Sequence, residues 1–249
     1  MNHLEIFEGT SHAFRLLVVV ALTFAASLWA LPAQAEQQNE NIRMELFGAL
    51  ELRLAEADAA ELAVLSPGNY EEAQKSYAKA KEEFERGGSL DQIEKDIAQS
   101  QQHLSKAFES ADLAKQLLEQ PLTMRSDLAS NGIPPGHAEL RNGEKKLVEA
   151  AREAEGGNVQ TVRKKADEAA REYRKATLKI LKDEWWKQTE QEMKQLKNGV
   201  EKDQYKSAET ALKAIKDHLE TIRETTAFSV GDLLRDTRHD LDAVLAQLR

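Results

Sequence analysis

Residues 65–115 read LSPGNYEEAQKSYAKAKEEFERGGSLDQIEKDIAQSQQHLSKAFESADLAK, and they show most clearly how the chain folds. Its apolar side chains recur at alternating spacings of three and four residues, which is the period of a helix that buries one face. The first apolar stripe consists of Tyr70, Ala73, Tyr77, Ala80 and Phe84. The second consists of Leu90, Ile93, Ile97, Leu104, Ala107, Ala111, Ala114 and Leu118, with Ser100 as its one polar interruption. The stretch predicts two long helices.

A glycine pair separates the two predicted helices. Gly87-Gly88 follows the first stripe, and glycine readily adopts the left-handed conformation that ends a helix. Ser89, with Gln92 three positions later, has the capping-box pattern of a new helix start. A connection this short predicts an antiparallel helical hairpin.

The second half of the chain repeats this scheme around Gly156-Gly157, which lies 69 residues after the first glycine pair. The stripe before this pair consists of Leu140, Leu147, Ala151 and Ala154. The stripe after it consists of Val159, Val162, Ala166, Ala169, Tyr173, Ala176 and Ile180. Alignment of the glycine pairs places Leu90 on Val159, Ile93 on Val162 and Leu104 on Tyr173. We therefore expect a duplicated helical hairpin.

Further apolar stripes flank the two hairpins. One begins at Ile42 and ends before Ser66-Pro67-Gly68, while beyond Leu181 the register slips and later stripes cover about 186–200, 205–222 and 234–248. These patterns predict an all-α fold, an elongated bundle of long antiparallel helical hairpins with about seven helices. Whether the apolar seams close within one chain or between chains stays open, so a homo-oligomer is possible.

The stretch QPLTMRSDLASNGIPPGH, residues 120–137, holds three of the five prolines. We expect it to form a Pro- and Gly-containing loop between an N-terminal helical hairpin region, 36–119, and a C-terminal helical region, 138–249. Long loops of compact proteins are often functional or mobile, and the sequence leaves both interpretations open.

The N-terminus has the order of a secretory signal. Arg15 precedes the apolar stretch 16–31, and the small-residue site Ala33-Gln34-Ala35 precedes polar sequence. We expect residues 1–35 to be a signal peptide that is cleaved after Ala35. Retention as an uncleaved anchor is the alternative, but the apolar stretch is shorter than the roughly 20 residues of a membrane span. After cleavage we expect no direct membrane span.

Composition narrows the location and the partners. The chain has no cysteine, which excludes disulfides, zinc–thiolate sites and iron–sulfur clusters. A cysteine-free exported chain is typical of a bacterial periplasm rather than of a disulfide-rich secreted domain, so we expect a periplasmic location. Because 43 acidic residues outnumber 34 basic ones and the net charge is −9, we expect no nucleic-acid partner.

The sequence shows no cluster with catalytic or metal-binding spacing. Beyond residue 35 there are four histidines, and none has a second histidine three or four residues away or a glutamate three residues before it. Acidic pairs such as Glu82-Glu83 lie on the polar helix faces, where solvated carboxylates are poorly suited to acid–base catalysis. We therefore expect no enzyme, no catalytic residue, no metal site and no cofactor. The four histidines are His103, His137, His218 and His239.

Trp185 and Trp186 form the one aromatic cluster, in KDEWWKQTEQ. Adjacent residues point about 100° apart on a helix, so one ring can pack in the seam while the other lies on a flank. Exposed tryptophan is enriched at interfaces, which makes both residues candidates for partner binding. Core packing across the register slip is the alternative.

The segment Leu65 to Lys115 resembles the helical region that precedes OmpA-like peptidoglycan-binding domains in some Gram-negative envelope proteins. The resemblance is carried by the Ser-Pro turn, the Tyr-x-x-Ala-x-x-x-Tyr stripe and the Gly-Gly-Ser-Leu turn, and it extends more loosely to about Ile180. It implies a periplasmic spacer or scaffold of unknown function and carries no site residue. The OmpA-like domain itself does not occur before Arg249, so we expect no direct binding to peptidoglycan.

These observations favour a non-enzymatic periplasmic scaffold, spacer or protein-binding module of the cell envelope. Its partner would be an envelope protein. A periplasmic chaperone, or a stress-type binder of unfolded clients, is the alternative.

Overall fold

The computed structural model describes residues 39–249, and the regular elements of this part of the chain are all helical. The predicted all-α fold is confirmed. The α-helices are α1 (39–59), α2 (Leu62–Leu65), α3 (Pro67–Glu85), α4 (Leu90–Leu117), α5 (Glu119–Ser130), α6 (Arg141–Glu155), α7 (Val159–Ile180), α8 (Trp186–Leu196), α9 (Lys202–Thr221) and α10 (Val230–Ala246). Short 3-10 segments lie at Ala138–Leu140 and Lys197–Gly199, and a π-helical turn lies at Leu181–Trp185. The predicted signal peptide, 1–35, lies outside the described residues.

Residues 55–249 form one compact unit, and the described residues before Ala55 belong to another. The predicted loop at 120–137 lies inside the 55–249 unit, and the prediction of a loop was wrong for most of it. Helix α5 covers residues up to Ser130. Pro121 is the third residue of α5, where a backbone N–H would have no helical partner, so proline interrupts nothing there. Met124 and Leu128 are buried, and α5 packs on α7 and α10.

The two predicted hairpins are the best packed helix pairs of the 55–249 unit. Helix α3 packs along α4, and α6 packs along α7, each pair joined by a short turn. The second helices of the two hairpins bury equivalent positions at the predicted offset of 69 residues, from Ile93 and Val162 to Ala111 and Ile180. The other buried equivalents are Ile97 and Ala166, Ser100 and Ala169, Leu104 and Tyr173, and Ala107 and Ala176.

The two turns differ by one residue. Four residues separate α3 from α4, and three separate α6 from α7. The left-handed glycine is therefore the first of its pair in one turn, Gly87 with φ 68°, and the second in the other, Gly157 with φ 72°. As a result, the first helices of the hairpins correspond at an offset of 70 residues, which brings Ala73 onto Gly143 and Ala80 onto Ala150.

Leu90 and Val159 differ from the expected seams. They are the first residues of α4 and α7, and they are 53% and 39% exposed. The buried faces of both helices begin three residues later, at Ile93 and Val162. Ser100, the polar residue in the first seam, is buried and donates its hydroxyl to the Ala73 carbonyl at 2.8 Å.

Carboxylates from distant helices cap two of the helix N-termini. Glu155, the last residue of α6, accepts hydrogen bonds from the Ser66 hydroxyl at 2.6 Å and the backbone N–H of Asn69 at 2.9 Å. Its second oxygen accepts the Gly68 N–H at 3.2 Å, and a Cβ at Gly68 would lie 2.5 Å from that oxygen. Asp127 of α5 likewise accepts the N–H of Gly231, at the start of α10, at 3.1 Å. A carboxylate there satisfies free N–H groups and offsets the positive end of the helix dipole.

Candidate partner-binding surface

The tryptophan pair lies where the helix that begins as α7 changes its winding. The π-helical turn Leu181–Trp185 holds more residues than an α-helical turn, and α8 begins directly after it at Trp186. Such a turn rotates every later side chain relative to the preceding helix face. The register slip that the sequence shows beyond Leu181 is this turn.

A small apolar core joins α8, α9 and α10 next to the tryptophans. Both indoles are half-buried and pack against this core. Its buried members are Met193, Tyr205, Ala208, Leu212, Leu241, Val244, Leu245 and Leu248. Core packing therefore accounts for part of the surface of each ring.

Trp185 faces α10. The Arg238 guanidinium carbon lies 4.5 Å from the centre of the Trp185 ring, a cation–π contact. Arg238 also donates to the Asn131 carbonyl at 2.8 Å, which holds the guanidinium in place. Trp185 lines an open cleft of about 260 Å³, and in the described part of the chain its indole N–H makes no hydrogen bond. The polar side chains of the cleft are Gln188, Thr189, Glu192, Arg238, Asp242 and Arg249.

Trp186 faces α9. Its indole N–H donates to the Leu212 carbonyl at 3.1 Å, and the Lys216 ammonium lies 4.6 Å from the ring centre. It lines a second cleft, of about 360 Å³, whose apolar floor includes Met193 and Tyr205. Lysines and carboxylates also line this cleft. The two tryptophans thus lie in two different clefts rather than on one continuous surface, which the sequence did not indicate.

A partly buried ionic cluster joins α5, α6 and α7, and sequence reasoning missed it. Arg125 pairs with Glu144 at 3.0 Å and with Glu61 at 2.7 Å, and the Tyr173 hydroxyl donates to Glu144 at 2.8 Å. The Arg125 and Glu144 side chains are only 13% and 21% exposed. These residues lie far apart in the chain and follow no sequence motif.

Two ionisable groups of this cluster, Arg125 and Tyr173, have pKa values raised above the ordinary ones. Burial lowers the pKa of the Arg125 guanidinium, but the Glu144 and Glu61 carboxylates outweigh burial and raise it above its ordinary value. Burial, and then the negative charge of Glu144, raises the pKa of the Tyr173 phenol. A guanidinium that stays charged and a phenol that stays protonated suit a structural tie rather than proton transfer. Glu61 has a left-handed backbone, φ 55°, which is uncommon for a residue with a side chain.

A second tyrosine is tied in the same way. The Tyr70 hydroxyl donates to Asp58, and burial followed by this hydrogen bond raises the pKa of Tyr70 to about 12. The phenol therefore stays protonated at neutral pH and joins the start of α3 to the end of α1.

The histidines lie apart from one another. His137 accepts the N–H of Glu139 through Nδ1 at 3.3 Å, and its Nε2 lies 3.3 Å from Glu184. The Nδ1 atom of His103 is buried, and no partner for it lies in the described part of the chain. Within residues 39–249, no three His, Asp or Glu side chains are grouped so that they could hold a metal ion.

No known family, curated protein or solved structure matches this chain. None of the helices in residues 39–249 is both long enough and apolar enough to cross a membrane. The partner-binding role of Trp185 and Trp186 stays a prediction.

Proposed function

We propose that this protein is a non-enzymatic protein-binding module of the bacterial cell envelope, exported to the periplasm by residues 1–35. Its partner is an envelope protein, which it contacts through the cleft between α8 and α10. The N-terminal sequence pattern and the absence of cysteine support the location.

The observation that carries the proposed contact is the unequal use of the two indole N–H groups. The indole N–H of Trp186 donates a hydrogen bond to the Leu212 carbonyl, whereas that of Trp185 has no hydrogen-bond partner in the described chain. Trp185 also lines an open cleft with polar side chains around it. A half-buried tryptophan with a free N–H can anchor a partner by burying its ring and donating one hydrogen bond. We therefore assign the contact to Trp185 and a structural role to Trp186.

The test compares Trp185→Ala with Trp186→Ala, each introduced into the chain from residue 36. Both proteins are crosslinked in an envelope extract and purified, and the captured proteins are identified by mass spectrometry. We expect the unchanged chain to capture a defined envelope protein. Trp185→Ala should lose this capture while its helical circular dichroism stays unchanged, because it removes the anchor from the cleft.

Trp186→Ala is the matched control. It should lower the melting temperature, because it removes a buried ring surface and leaves the Leu212 carbonyl without its indole donor, but the folded fraction should still capture the partner. Equal capture by the unchanged chain and by Trp185→Ala would contradict the assignment. Suppression of the aggregation of an unfolded client by the unchanged chain, without a defined partner, would instead favour a chaperone.

A reporter fusion tests the location separately. Residues 1–35 joined to an enzyme that is active only after export should give activity in the periplasmic fraction. Activity confined to the cytoplasm would contradict the periplasmic proposal.

A further inference from the structure

The solvent face of α7 differs in charge from the chain as a whole. Among the exposed residues of this helix, five are basic and one, Asp167, is acidic. The chain carries a net charge of −9, so this face reverses the overall sign. We call the five residues the basic stripe: Arg163, Lys164, Arg171, Lys175 and Lys179.

The basic stripe is a continuous feature. At about 100° per residue its members fall within one side of the helix, and at 1.5 Å per residue it is about 24 Å long. The opposite side of α7 is buried against the rest of the 55–249 unit, with Val162, Ala169 and Tyr173 inside. The charges therefore face solvent along the whole stripe.

Much of this charge is not neutralised within the protein. Lys179 pairs with Glu139 at 2.8 Å, and the Lys175 ammonium lies 4.0 Å from the Glu172 carboxylate, a weak contact. In the described part of the chain, no carboxylate lies within salt-bridge distance of Arg163, Lys164 or Arg171. These three side chains leave an excess of positive charge at the outer face.

The equivalent helix of the first hairpin has no such stripe. Helix α7 contains seven basic and three acidic residues, a net charge of +4, whereas α4 contains three basic and five acidic residues, a net charge of −2. At the offset of 69 residues, Arg163 corresponds to Glu94 and Arg171 to Gln102. Because the buried faces of α4 and α7 are equivalent, packing does not require the positive charge of α7.

The stripe offers charge without an apolar centre. Its one large apolar neighbour on the exposed face is Val159, at the very start of α7. Protein interfaces generally have an apolar, often aromatic core, and single-stranded nucleic acids stack on aromatic side chains. The surface of an anionic membrane, in contrast, attracts clustered Lys and Arg through charge alone.

The C-terminal end of the stripe borders an open cleft of about 300 Å³. Lys175, Lys179 and Lys182 line this cleft together with Asp183, Glu224, Leu178 and Ile222. Because carboxylates share the cleft with the lysines, the excess of positive charge lies closer to the start of α7, at Arg163, Lys164 and Arg171.

We propose that the basic stripe of α7 binds the anionic phospholipid surface of a membrane. This inference is independent of the contact proposed for Trp185, because the two involve different helices and different ligands. It would hold the module against the membrane while the α8–α10 cleft stays free.

The test measures co-sedimentation of the chain from residue 36, which contains every described residue, with vesicles. One set contains phosphatidylcholine with phosphatidylglycerol, and the other contains phosphatidylcholine alone. The stripe variant is Arg163→Gln/Arg171→Gln/Lys175→Gln. Its matched control is Lys95→Gln/Lys106→Gln/Lys115→Gln, which removes the same charge from exposed positions of α4.

We expect the unchanged chain to bind the anionic vesicles only, and to be released when salt approaches about 1 M, where charges are screened within about 3 Å. The stripe variant should bind on the order of a hundredfold more weakly, since each of the three basic residues near the surface contributes about fivefold. The control variant should stay within a few-fold of the unchanged chain.

Three outcomes would overturn the proposal. One is no binding of the unchanged chain to anionic vesicles at low salt. Another is equal loss in the stripe and control variants, which would indicate a response to net charge alone. The third is tighter, stripe-dependent retention on an acidic polypeptide or DNA than on the vesicles, which would assign the stripe to a different polyanion. Circular dichroism of both variants checks that they remain folded.

Discussion

The α3–α4 and α6–α7 hairpins share one buried pattern but differ in how they are held together. The first hairpin joins its helices through small polar contacts: the Ser100 hydroxyl donates to the Ala73 carbonyl, and the Asn69 amide donates to the Ser110 hydroxyl at 3.2 Å. The second places a tyrosine at the position of Leu104 and a glycine at the position of Ala73, and links Tyr173 to Glu144 and Arg125. A duplicated apolar stripe thus fixes the helix pairing, while individual side chains determine what each hairpin attaches to.

The largest expected effect comes from breaking the ionic cluster, which the first hairpin lacks. Arg125→Met should lower the free energy of unfolding by about 3 kcal/mol, because it leaves the nearly buried Glu144 without its counter-ion. Chemical denaturation of the variant and of the original chain measures this loss. Glu144→Gln added to Arg125→Met should recover part of it, and no recovery would show that Arg125 acts through packing instead.

A smaller effect is expected at Gly143, where α6 meets the Tyr173 ring of α7. A Cβ at Gly143 would lie 2.8 Å from two carbons of the Tyr173 ring, so Gly143→Ala should destabilise the protein by about 2 kcal/mol through overpacking. Thermal unfolding of the variant gives the measurement.

A double variant that gives this site the residues of the first hairpin tests whether the glycine makes room for the ring. In Gly143→Ala/Tyr173→Leu the clash is removed, so the double variant should lose less than the sum of the two single changes. Strict additivity would mean that the glycine is not there to admit the ring.

The hydroxyl of the first hairpin is expected to matter less. Ser100→Ala should cost about 1 kcal/mol, because it removes one buried hydrogen bond but leaves an alanine that the second hairpin already accommodates at Ala169. Urea denaturation measures the change. A loss much above this value would indicate that Ser100 has a further role in the α3–α4 seam.

The smallest effect concerns acid stability. Lys146 pairs with Glu168 across the second hairpin, where the first has Ser76 and Gln99, and the hydrogen bond from Lys146 lowers the pKa of Glu168 below its ordinary 4.5. A lowered folded-state pKa stabilises the protein above the ordinary value, and this contribution is lost as pH falls through the folded-state value. The Glu168→Gln variant should therefore lose slightly less stability than the original chain as the pH falls below about 4.5.

Melting temperatures across the acid range measure this effect. Glu94→Gln, at an exposed position of α4 without an ion pair in the described chain, is the control and should leave the acid profile nearly unchanged. High salt should weaken the Glu168 effect because both side chains are partly accessible to solvent, 36% and 33%. An effect that persists unchanged in high salt would argue against the ion pair as its cause.

Local patterns predicted the helices well because helix formation and burial of one face leave a period in the sequence. The stripes from Ile93 and Val162 onward predicted the buried sides of α4 and α7, and the glycine pairs predicted both turns. Helix α5 was not predicted, because three prolines indicated a loop. One of them, Pro121, is tolerated because it lies in the first turn of a helix. Pro134 and Pro135 do lie outside the helices.

For the candidate surface, the sequence identified Trp185 and Trp186 as candidates but not their surroundings. Their clefts are made with α9 and α10, which lie well downstream, and the hydrogen bond of Trp186 is to the backbone of Leu212. Backbone acceptors have no sequence signature. The separation of the two rings into two clefts could be learned only from the packed helices.

The helical class and the two hairpins follow from the sequence alone, because periodicity is a property of neighbouring residues. The packing of the helices determined which side chains contact one another and which face solvent. It placed Arg125 against Glu144, brought Glu155 to the start of α3, and left the basic stripe facing solvent. The physical reason is that such contacts join residues far apart in the chain, and only the packing of whole helices sets the distance between them.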